Sequence, residues 1–325
     1  MTATITVVSG QWSAEKAQEW GKAQRWMTGC NFIPSTAINQ IEMWQASTWD
    51  PATIERELGW ASSIGMGVVR VYLHDLVYED DPDGMFGRMS EFLDIATGKG
   101  IATLFVIFDD CWNPTAELGP QPAPRPSVHN SGWVKSPQVS QRSDLARLET
   151  YVKALLDKFG SDKRVWMWDL YNEPANESGE LLSKVFEWSW SVRPDQPLTV
   201  CDWDASNQLR TFSIESSDVV SFHNYATPDK VREQIAYLQG FGRPIVCTEW
   251  LARKSDSIPQ TVLPVFKELG VTCINWGLVK GKTNTIFPWG TEENAPEPPR
   301  WFHDLFWPDG RPYDPEETDL FTRLA

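Results

Sequence analysis

Cysteine and histidine are scarce in this sequence, and neither is spaced for a metal site or a disulfide framework. The chain of 325 residues has five cysteines and four histidines, with no Cys-x-x-Cys or His-x-x-x-His pattern. Cys30, Cys201, Cys247 and Cys273 fall inside predicted strands, and Cys111 follows one. An odd number of thiols in apolar segments indicates small core residues in a reducing compartment. We therefore expect no metal and no cofactor.

Long hydrophobic runs are also missing. The apolar segment at residues 5–8 is too short for the core of a secretion signal, and no basic residue precedes it. No segment approaches the length of a membrane span. Together with the cysteine usage, these absences predict a cytoplasmic protein.

Basic residues are also few relative to acidic ones. The chain has 29 lysines and arginines against 44 acidic residues, which gives a formal net charge of -15 and a sequence pI near 4.7. A nucleic acid or an anionic membrane surface would need a basic face on the protein. We expect neither as a partner, and attribute the acidity to solubility.

Tryptophan, by contrast, is abundant. The hydrophobic fraction is 41% and there are 18 tryptophans, enough to fill one large core and leave aromatic rings to line a cleft. This surplus of aromatic rings favours a carbohydrate ligand.

Strand-like and helix-like segments alternate along the chain. Apolar runs mark eight buried strands, at residues 26–33, 66–73, 101–108, 164–171, 198–203, 218–225, 244–250 and 271–279. Apolar residues at helical spacing mark helices between most of them, including one that begins at Asp50-Pro51 and ends at Gly65. Residues 13–25 add a helix in an N-terminal extension, residues 1–25, that we expect to pack on the main body.

This alternation predicts a single α/β domain over residues 1–325, a (β/α)8 TIM barrel. A Rossmann-type open sheet is the alternative, but no Gly-x-Gly-x-x-Gly follows the first strand and no Walker sequence is present. The connection from the third strand to about residue 141 contains Pro120, Pro122, Pro124 and Pro126 and is long enough to suggest function. We expect such long loops at the catalytic face.

Two acidic residues end predicted strands. Asn172-Glu173-Pro174 follows the fourth strand, and Glu249 lies near the end of the seventh. Taken alone, Asn-Glu-Pro reads as an ordinary turn. A second acid in a similar setting changes that interpretation, because the carboxyl ends of barrel strands are where such enzymes build active sites.

Other polar and aromatic side chains are predicted at the same rim of the barrel. They are Arg70, Asn172, His223, Tyr225 and Trp276. A strand-borne arginine needs an anion, and Glu249 would supply one. Two carboxyl groups facing each other across a sugar are what glycoside hydrolysis requires, one to protonate the departing oxygen and the other to attack or to guide water.

The set Arg70, Asn172-Glu173-Pro174, His223-x-Tyr225, Glu249 and Trp276 resembles the clan A glycoside hydrolases, family 5 in particular, over essentially the whole chain. The resemblance implies that Glu173 is the acid/base and Glu249 the nucleophile. It also implies a retaining mechanism through a covalent glycosyl-enzyme, with the two carboxyl groups roughly 5 Å apart.

The resemblance assigns roles to the surrounding residues as well. Asn172 would bond the 2-hydroxyl of the sugar, and Trp276 would form the floor under the reacting sugar. His223 and Tyr225 would position the two acids. Without the resemblance, Trp276 reads equally well as a core residue.

Three further segments, at residues 29–35, 39–44 and 128–133, are similar to intracellular β-mannosidases that split mannosyl-β-1,4-N-acetylglucosamine from N-glycan cores. Eight loop residues are candidate sugar contacts: Glu42, Trp44, His74, Trp112, His129, Asn130, Trp133 and Trp289. We expect Glu42 and Trp44 to close one side of the cleft, and Trp133, His129 and Asn130 to contact the leaving sugar. For any single loop aromatic, packing within the loop is an equal alternative.

The leading hypothesis is therefore an exo-β-mannosidase whose partner is a small oligosaccharide. An endo-acting β-glucanase, xylanase or mannanase is the alternative within the family. A non-catalytic sugar-binding barrel would not need both acids. A lyase or aldolase barrel would need a metal or a Schiff-base lysine at a strand end, and only Lys280 lies near one.

Overall fold

The computed structural model describes residues 10–325, and the apolar segment at residues 5–8 lies outside them. Its strands are β1 (Thr28–Asn31), β2 (Val68–Tyr72), β3 (Ala102–Asp109), β4 (Val165–Asn172), β5 (Leu198–Thr199), β6 (Cys201–Asp202), β7 (Val220–His223), β8 (Ile245–Glu249) and β9 (Thr272–Asn275). All of them belong to one sheet, in the order β5-β4-β3-β2-β1-β9-β8-β7-β6, and their pairings are parallel.

The sheet closes on itself through the predicted fifth strand. That strand is split into β5 and β6 at Val200, whose N–H donates to the Ser217 hydroxyl at 3.0 Å. The two halves are the two ends of the sheet order, so neighbouring residues of one segment complete the ring. The predicted (β/α)8 TIM barrel is confirmed, with nine strand segments among residues 10–325 in place of eight strands.

The helices surround this barrel. They are α1 (Ala14–Ala23), α2 (Gln40–Trp44), α3 (Pro51–Ser63), α4 (Asp75–Asp80), α5 (Pro82–Gly98), α6 (Leu145–Phe159), α7 (Gly179–Val192), α8 (Arg210–Ser216), α9 (Pro228–Gln239), α10 (Pro259–Leu269) and α11 (Pro315–Leu324). Helix α3 begins as predicted, with the Asp50 side chain accepting from the Thr53 N–H at 3.1 Å. Helix α8 was not predicted, because its seven residues bury only Ser213, Ile214 and Ser216 and give no clear apolar period.

Helix α1 packs over the amino-terminal ends of the strands. The Trp20 ring lies 5.6 Å from the Trp166 ring, and the Trp166 indole N–H donates to the Gln24 side chain at 3.0 Å. Because Trp166 lies near the start of β4, residues 10–25 cover the end of the barrel away from the strand termini that carry Glu173 and Glu249.

Three long loops meet at the opposite end and form one wall. The Asn39 side chain, after β1, donates to the Gly132 carbonyl at 2.9 Å. The Asn130 N–H, after β3, donates to the Thr283 carbonyl at 2.8 Å, beyond β9. We call this surface the loop wall, residues 32–50, 110–144 and 276–314. The connections after β6 and β7 are much shorter, at residues 203–209 and 224–227.

Within residues 10–325, no helix combines the length and apolar character that a membrane span requires.

Candidate active site

Arg70 is the centre of a buried polar network inside the barrel. Val68, Arg70 and Tyr72 lie on the same face of β2, since side chains alternate along a strand. The fully buried guanidinium donates to Glu249 Oε1 at 2.8 Å and to Asp169 Oδ2 at 2.7 Å. A buried charge persists only when it is paired, and here two carboxylates pair with it.

Glu249 is held by donors on both of its carboxyl oxygens. Oε1 accepts from Arg70 and, at 2.9 Å, from the Tyr72 hydroxyl. Oε2 accepts from the Tyr225 hydroxyl at 2.6 Å. The residue ends β8 and is 5% exposed. The carboxylate is therefore fixed in one orientation, which suits a group that must approach a carbon atom from a set direction.

Glu173 has different surroundings. It follows β4 directly, with a positive φ of 43°, a backbone conformation that is uncommon outside glycine and concentrates at functional sites. One carboxyl oxygen lies 2.6 Å from His223 Nδ1, and the other accepts from the Cys111 thiol at 3.3 Å. Burial raises the pKa of Glu173, which favours the protonated acid.

His223 does not neutralise this acid. Burial lowers the pKa of the imidazole to about 4, so the ring is neutral near pH 7 and contributes a hydrogen bond rather than a charge. The imidazole therefore adds no positive charge that would oppose the raised pKa of Glu173.

The spacing of the two acids decides what they can do together. One oxygen of Glu173, a ring nitrogen of His223 and one oxygen of Glu249 all lie within 4.8 Å of one another. Retaining glycosidases have their carboxyl groups about 5 Å apart, and inverting enzymes about 6.5–9.5 Å apart. The same three groups could ligate a cation, but the Arg70 guanidinium on Glu249 already supplies positive charge there. The separation of the two carboxyl groups is therefore that of retaining enzymes.

A cleft of about 720 Å³, including the solvent at its open mouth, lies over these acids. Its lining residues are Cys111, Trp112, His129, Asn130, Asn172, Glu173, Tyr225, Glu249, Trp276 and Trp289. Trp276 follows β9, and its ring packs at 5.6 Å from that of Trp133. Trp112 and Trp289 are 44% and 43% exposed. The volume suits a small ligand, and the aromatic faces suit sugar C–H groups.

Two of the loop predictions are wrong. Trp44 is fully buried, and its indole N–H donates to the Tyr72 carbonyl at 2.7 Å. The ring therefore lies in the hydrophobic core and cannot close the cleft. His74 is also fully buried. It accepts from the Leu76 N–H at 3.2 Å as the N-cap of α4, so it cannot contact a sugar.

Two other loop residues support the cleft without lining it. Trp133 is 2% exposed, and its indole N–H donates to Asp109 Oδ2 at 2.6 Å. The Trp133 ring, held by this bond, packs against Trp276 and so supports the Trp276 ring. Glu42 pairs with Lys282 at 2.6 Å and accepts from the Ile38 N–H at 2.6 Å. It thereby joins two loops of the wall.

His129 and Asn130 lie in the wall of the cleft, as do the exposed Trp112 and Trp289. The His129 ring stacks on Trp112 at 5.5 Å, and its Nδ1 lies 2.7 Å from the Phe287 carbonyl oxygen. Burial lowers the pKa of His129 to about 4, so this ring is a neutral part of the wall near pH 7.

Four site residues were not predicted: Tyr72, Asp109, Cys111 and Asp169. Asp169 could have been found from the sequence, because a carboxylate inside an apolar strand needs a positively charged or hydrogen-bonding partner, as Arg70 needs an anion. Tyr72 lies two residues after Arg70, so the strand period alone would place it on the same face. The sequence indicates a core thiol at Cys111. In the structure this thiol donates to Glu173 and accepts from the Asn172 amide at 3.3 Å.

Asp109 links the end of β3 to the fourth strand and to the loop wall. Its Oδ1 accepts from the Asn172 amide at 2.9 Å. Burial raises its pKa to about 7. This residue thereby aligns Asn172 beside the two acids.

Comparison of the sequence with models of known protein families finds a match to one family. A family model described as Cellulase (glycosyl hydrolase family 5) matches residues 37–281. No curated protein sequence matches the chain.

Several solved structures share the fold. An endo-beta-1,4-mannanase from Thermotoga petrophila has a TM-score of 0.57 at 14% identity, covering 94% of this chain and 77% of that one. A GH5_18 protein from Streptomyces cattleya, in complex with Manb1-4GlcNAc, has a TM-score of 0.60 at 13% identity, covering 92% and 80%. An exo-beta-1,4-mannosidase from Opitutaceae bacterium strain TAV5 has a TM-score of 0.60 at 16% identity, covering 92% and 59%. At these identities the likeness establishes a common architecture.

Proposed function

Because the chain belongs to glycosyl hydrolase family 5 and is therefore a glycoside hydrolase, we propose that it is a retaining exo-β-mannosidase. Its substrates would be short oligosaccharides with a terminal β-1,4-linked mannose, such as mannosyl-β-1,4-N-acetylglucosamine. The observation that carries the retaining mechanism is the approach of Glu173 and Glu249 to within 4.8 Å.

In the first step, Glu249 attacks the anomeric carbon while Glu173 gives its proton to the glycosidic oxygen. The carbon–oxygen bond to the leaving sugar breaks, and an ester bond to Glu249 forms. In the second step, the Glu173 carboxylate takes a proton from water, and the water oxygen displaces Glu249. The freed sugar keeps its anomeric configuration, because two inversions have occurred.

The loop wall supports exo action. Hydrogen bonds between its three loops run beside Trp276 and Trp133, whereas short connections follow β6 and β7. A sugar over Trp276 would meet this wall at its non-reducing end, while the leaving sugar would extend over the short connections. A polymer would have no room to continue past the wall.

Two solved neighbours support mannose as the terminal sugar, the exo-beta-1,4-mannosidase and the protein in complex with Manb1-4GlcNAc. The endo-beta-1,4-mannanase with the same architecture favours the second candidate, an endo-β-1,4-glycanase. We also propose that the enzyme degrades N-glycan fragments in the cytoplasm. All five thiols are free, as expected of a reducing compartment.

Hydrolysis of a defined substrate panel tests this function. We expect mannosyl-β-1,4-N-acetylglucosamine to be cleaved faster than mannobiose, cellobiose or xylobiose, with little action on long mannan. Proton NMR of the first product should show the β-anomer of mannose. Oligosaccharides released from the interior of mannan, xylan or β-glucan would instead support the endo candidate.

A further inference from the structure

The turn that carries Glu173 is tied on both sides to one residue of the loop wall, Asp110. The Asp110 N–H donates to the Asn172 carbonyl at 3.2 Å, directly before Glu173. Asp110 Oδ2 accepts from the Ala175 N–H at 2.9 Å, two residues after Glu173, and from the Ser178 hydroxyl. Three hydrogen bonds therefore bind this turn to the loop that follows β3.

Asp110 is itself held firmly. Its side chain is fully buried, and its Oδ1 pairs with the Arg142 guanidinium and lies 3.9 Å from the Lys135 ammonium. A buried carboxylate persists only when its charge is paired and its oxygens are bonded. Because both conditions are met, Asp110 is a fixed point against which the turn can be aligned.

The backbone at Glu173 needs such a support. Its positive φ of 43° is unfavourable for a glutamate and persists only where the surrounding structure holds it. Pro174 follows, and its carbonyl accepts from the Asn207 side chain at 2.8 Å, on the far side of the turn. Since φ sets the direction in which the side chain leaves the backbone, loss of the support would redirect the Glu173 carboxyl group.

We propose that Asp110 is a positioning residue for the acid/base: by fixing the turn at residues 172–175, it places the Glu173 carboxyl group for proton transfer to the glycosidic oxygen. This inference rests on the proposed role of Glu173 and deepens it. His223 and Cys111 bond to the carboxyl group itself, whereas Asp110 acts on the backbone. A misplacement of about 1 Å can lower a rate about a hundredfold, so the alignment bears directly on catalysis.

Asp110→Asn tests the proposal with little change in side-chain volume. One carboxylate oxygen becomes an NH2 group, which cannot accept from an N–H. The charged Arg142 guanidinium forms the stronger hydrogen bond and retains the remaining oxygen. The NH2 group then faces the Ala175 N–H, and the tie behind Glu173 is lost.

Asp218→Asn is the matched control. Asp218 also has a fully buried side chain, pairs with Arg193 at 2.7 Å and accepts from the Leu198 N–H at 2.8 Å. It precedes β7 and bonds to the Trp12 N–H, at the end of the barrel away from the two acids. Both substitutions remove one buried charge, but only the first touches the turn of Glu173.

The substrates are aryl glycosides of the sugar that the wild type cleaves fastest, with leaving groups from 2,4-dinitrophenolate to unsubstituted phenolate. A poorer leaving group depends more on proton donation. We expect Asp110→Asn to lower kcat/KM about ten- to hundredfold on the phenyl glycoside and less than about threefold on the dinitrophenyl glycoside. Glu173→Ala should show the same dependence more steeply. Asp218→Asn should change kcat/KM by less than about twofold, alike on every substrate.

Urea titration shows which variants are folded. If Asp110→Asn does not fold, Ser178→Ala takes its place, because it removes one tie between the turn and Asp110 and leaves the ion pair with Arg142 intact. The same dependence on the leaving group should then appear, with a severalfold loss on the phenyl glycoside.

Unchanged kcat/KM, or a loss of equal size on every leaving group, would overturn the inference while Glu173→Ala kept its steep dependence. A Glu173→Ala variant that lost all substrates equally would instead overturn the proposed acid/base role, and the inference with it. The two failures are thus distinguished, and neither depends on which sugar the enzyme prefers.

Discussion

At the scale of single residues, Glu173 and Glu249 carry the same carboxyl group in contrasting surroundings. Glu249 receives bonds from a guanidinium and two phenols. Glu173 is hydrogen-bonded to a neutral imidazole and a thiol. A carboxylate surrounded by donors suits attack, and an acid whose pKa is raised by burial suits proton donation.

Replacement of Glu249 by glycine should remove turnover, because no covalent intermediate can form. We expect kcat on an aryl mannoside to fall by at least about a thousandfold. Added azide should restore part of the rate and give the inverted glycosyl azide, detected by NMR. Near-normal activity without azide would exclude Glu249 as the nucleophile.

Glu173→Ala should discriminate between leaving groups. An activated nitrophenolate needs little protonation, whereas a sugar alkoxide needs a proton to depart. The rate on the disaccharide should fall by about 10²–10⁴-fold, and the rate of glycosyl-enzyme formation from the aryl glycoside should fall far less. Stopped-flow bursts measure the second quantity. Equal losses on both substrates would remove Glu173 from the acid/base role.

Cys111 should set the basic limb of the pH profile. Its thiol donates to Glu173, and this hydrogen bond lowers the pKa of the acid against the larger effect of burial. The proposed mechanism needs protonated Glu173, so we expect kcat/KM to fall as pH rises through that pKa. Cys111→Ala should therefore move the basic limb to higher pH, while Cys111→Ser, which keeps a donor, should not. A basic limb that moves to lower pH in Cys111→Ala would contradict this assignment.

At the scale of elements, the strand ends were predictable from sequence and the loops were not. The period of two along β2 fixes the inward direction of Arg70, and the end of β8 fixes Glu249, so both could be assigned to one rim. Trp44 and His74 lie where no period applies. Trp44 lies in a five-residue helix that turns it into the core, and His74 serves as a helix cap. Contacts with residues distant in the sequence decide whether the Trp44 and His74 side chains face the core or the cleft, and the local sequence pattern does not show them.

Glu42 joins two loops of the wall, so its charge should matter more for substrate binding than for stability. Glu42→Gln keeps an acceptor for the Ile38 N–H but loses the ion pair with Lys282. We expect a change of at most about 1 kcal/mol in the free energy of unfolding, with a severalfold rise in KM for the disaccharide. Glu293→Gln breaks a more exposed pair with Arg125 and should leave KM unchanged. An unaltered KM in Glu42→Gln would show that the pair does not order the wall.

At the scale of the whole molecule, the barrel separates stability from chemistry. Helix α1 and residues 10–13 cover one end, where Trp12 is 5% exposed and its backbone N–H donates to Asp218 Oδ1 at 2.7 Å. The cleft occupies the other end. Changes at the first end should therefore be felt in unfolding rather than in catalysis.

Trp12→Ala tests this separation. Truncating a buried tryptophan typically costs about 3–5 kcal/mol, so we expect an unfolding free energy lower by that amount in urea titration. The value of kcat/KM at 25 °C should stay within about twofold of the wild type. A large loss of activity in a variant that is still folded would show that the two ends are coupled.

The same separation has a practical use in immobilised biocatalysis. Four of the five thiols are buried and the fifth, Cys111, is half-buried in the cleft, whereas Lys22 lies exposed on α1. A cysteine introduced at position 22 would offer maleimide resins one accessible anchor on the outer surface. Beads loaded through it would carry every molecule with its cleft turned toward the flowing substrate.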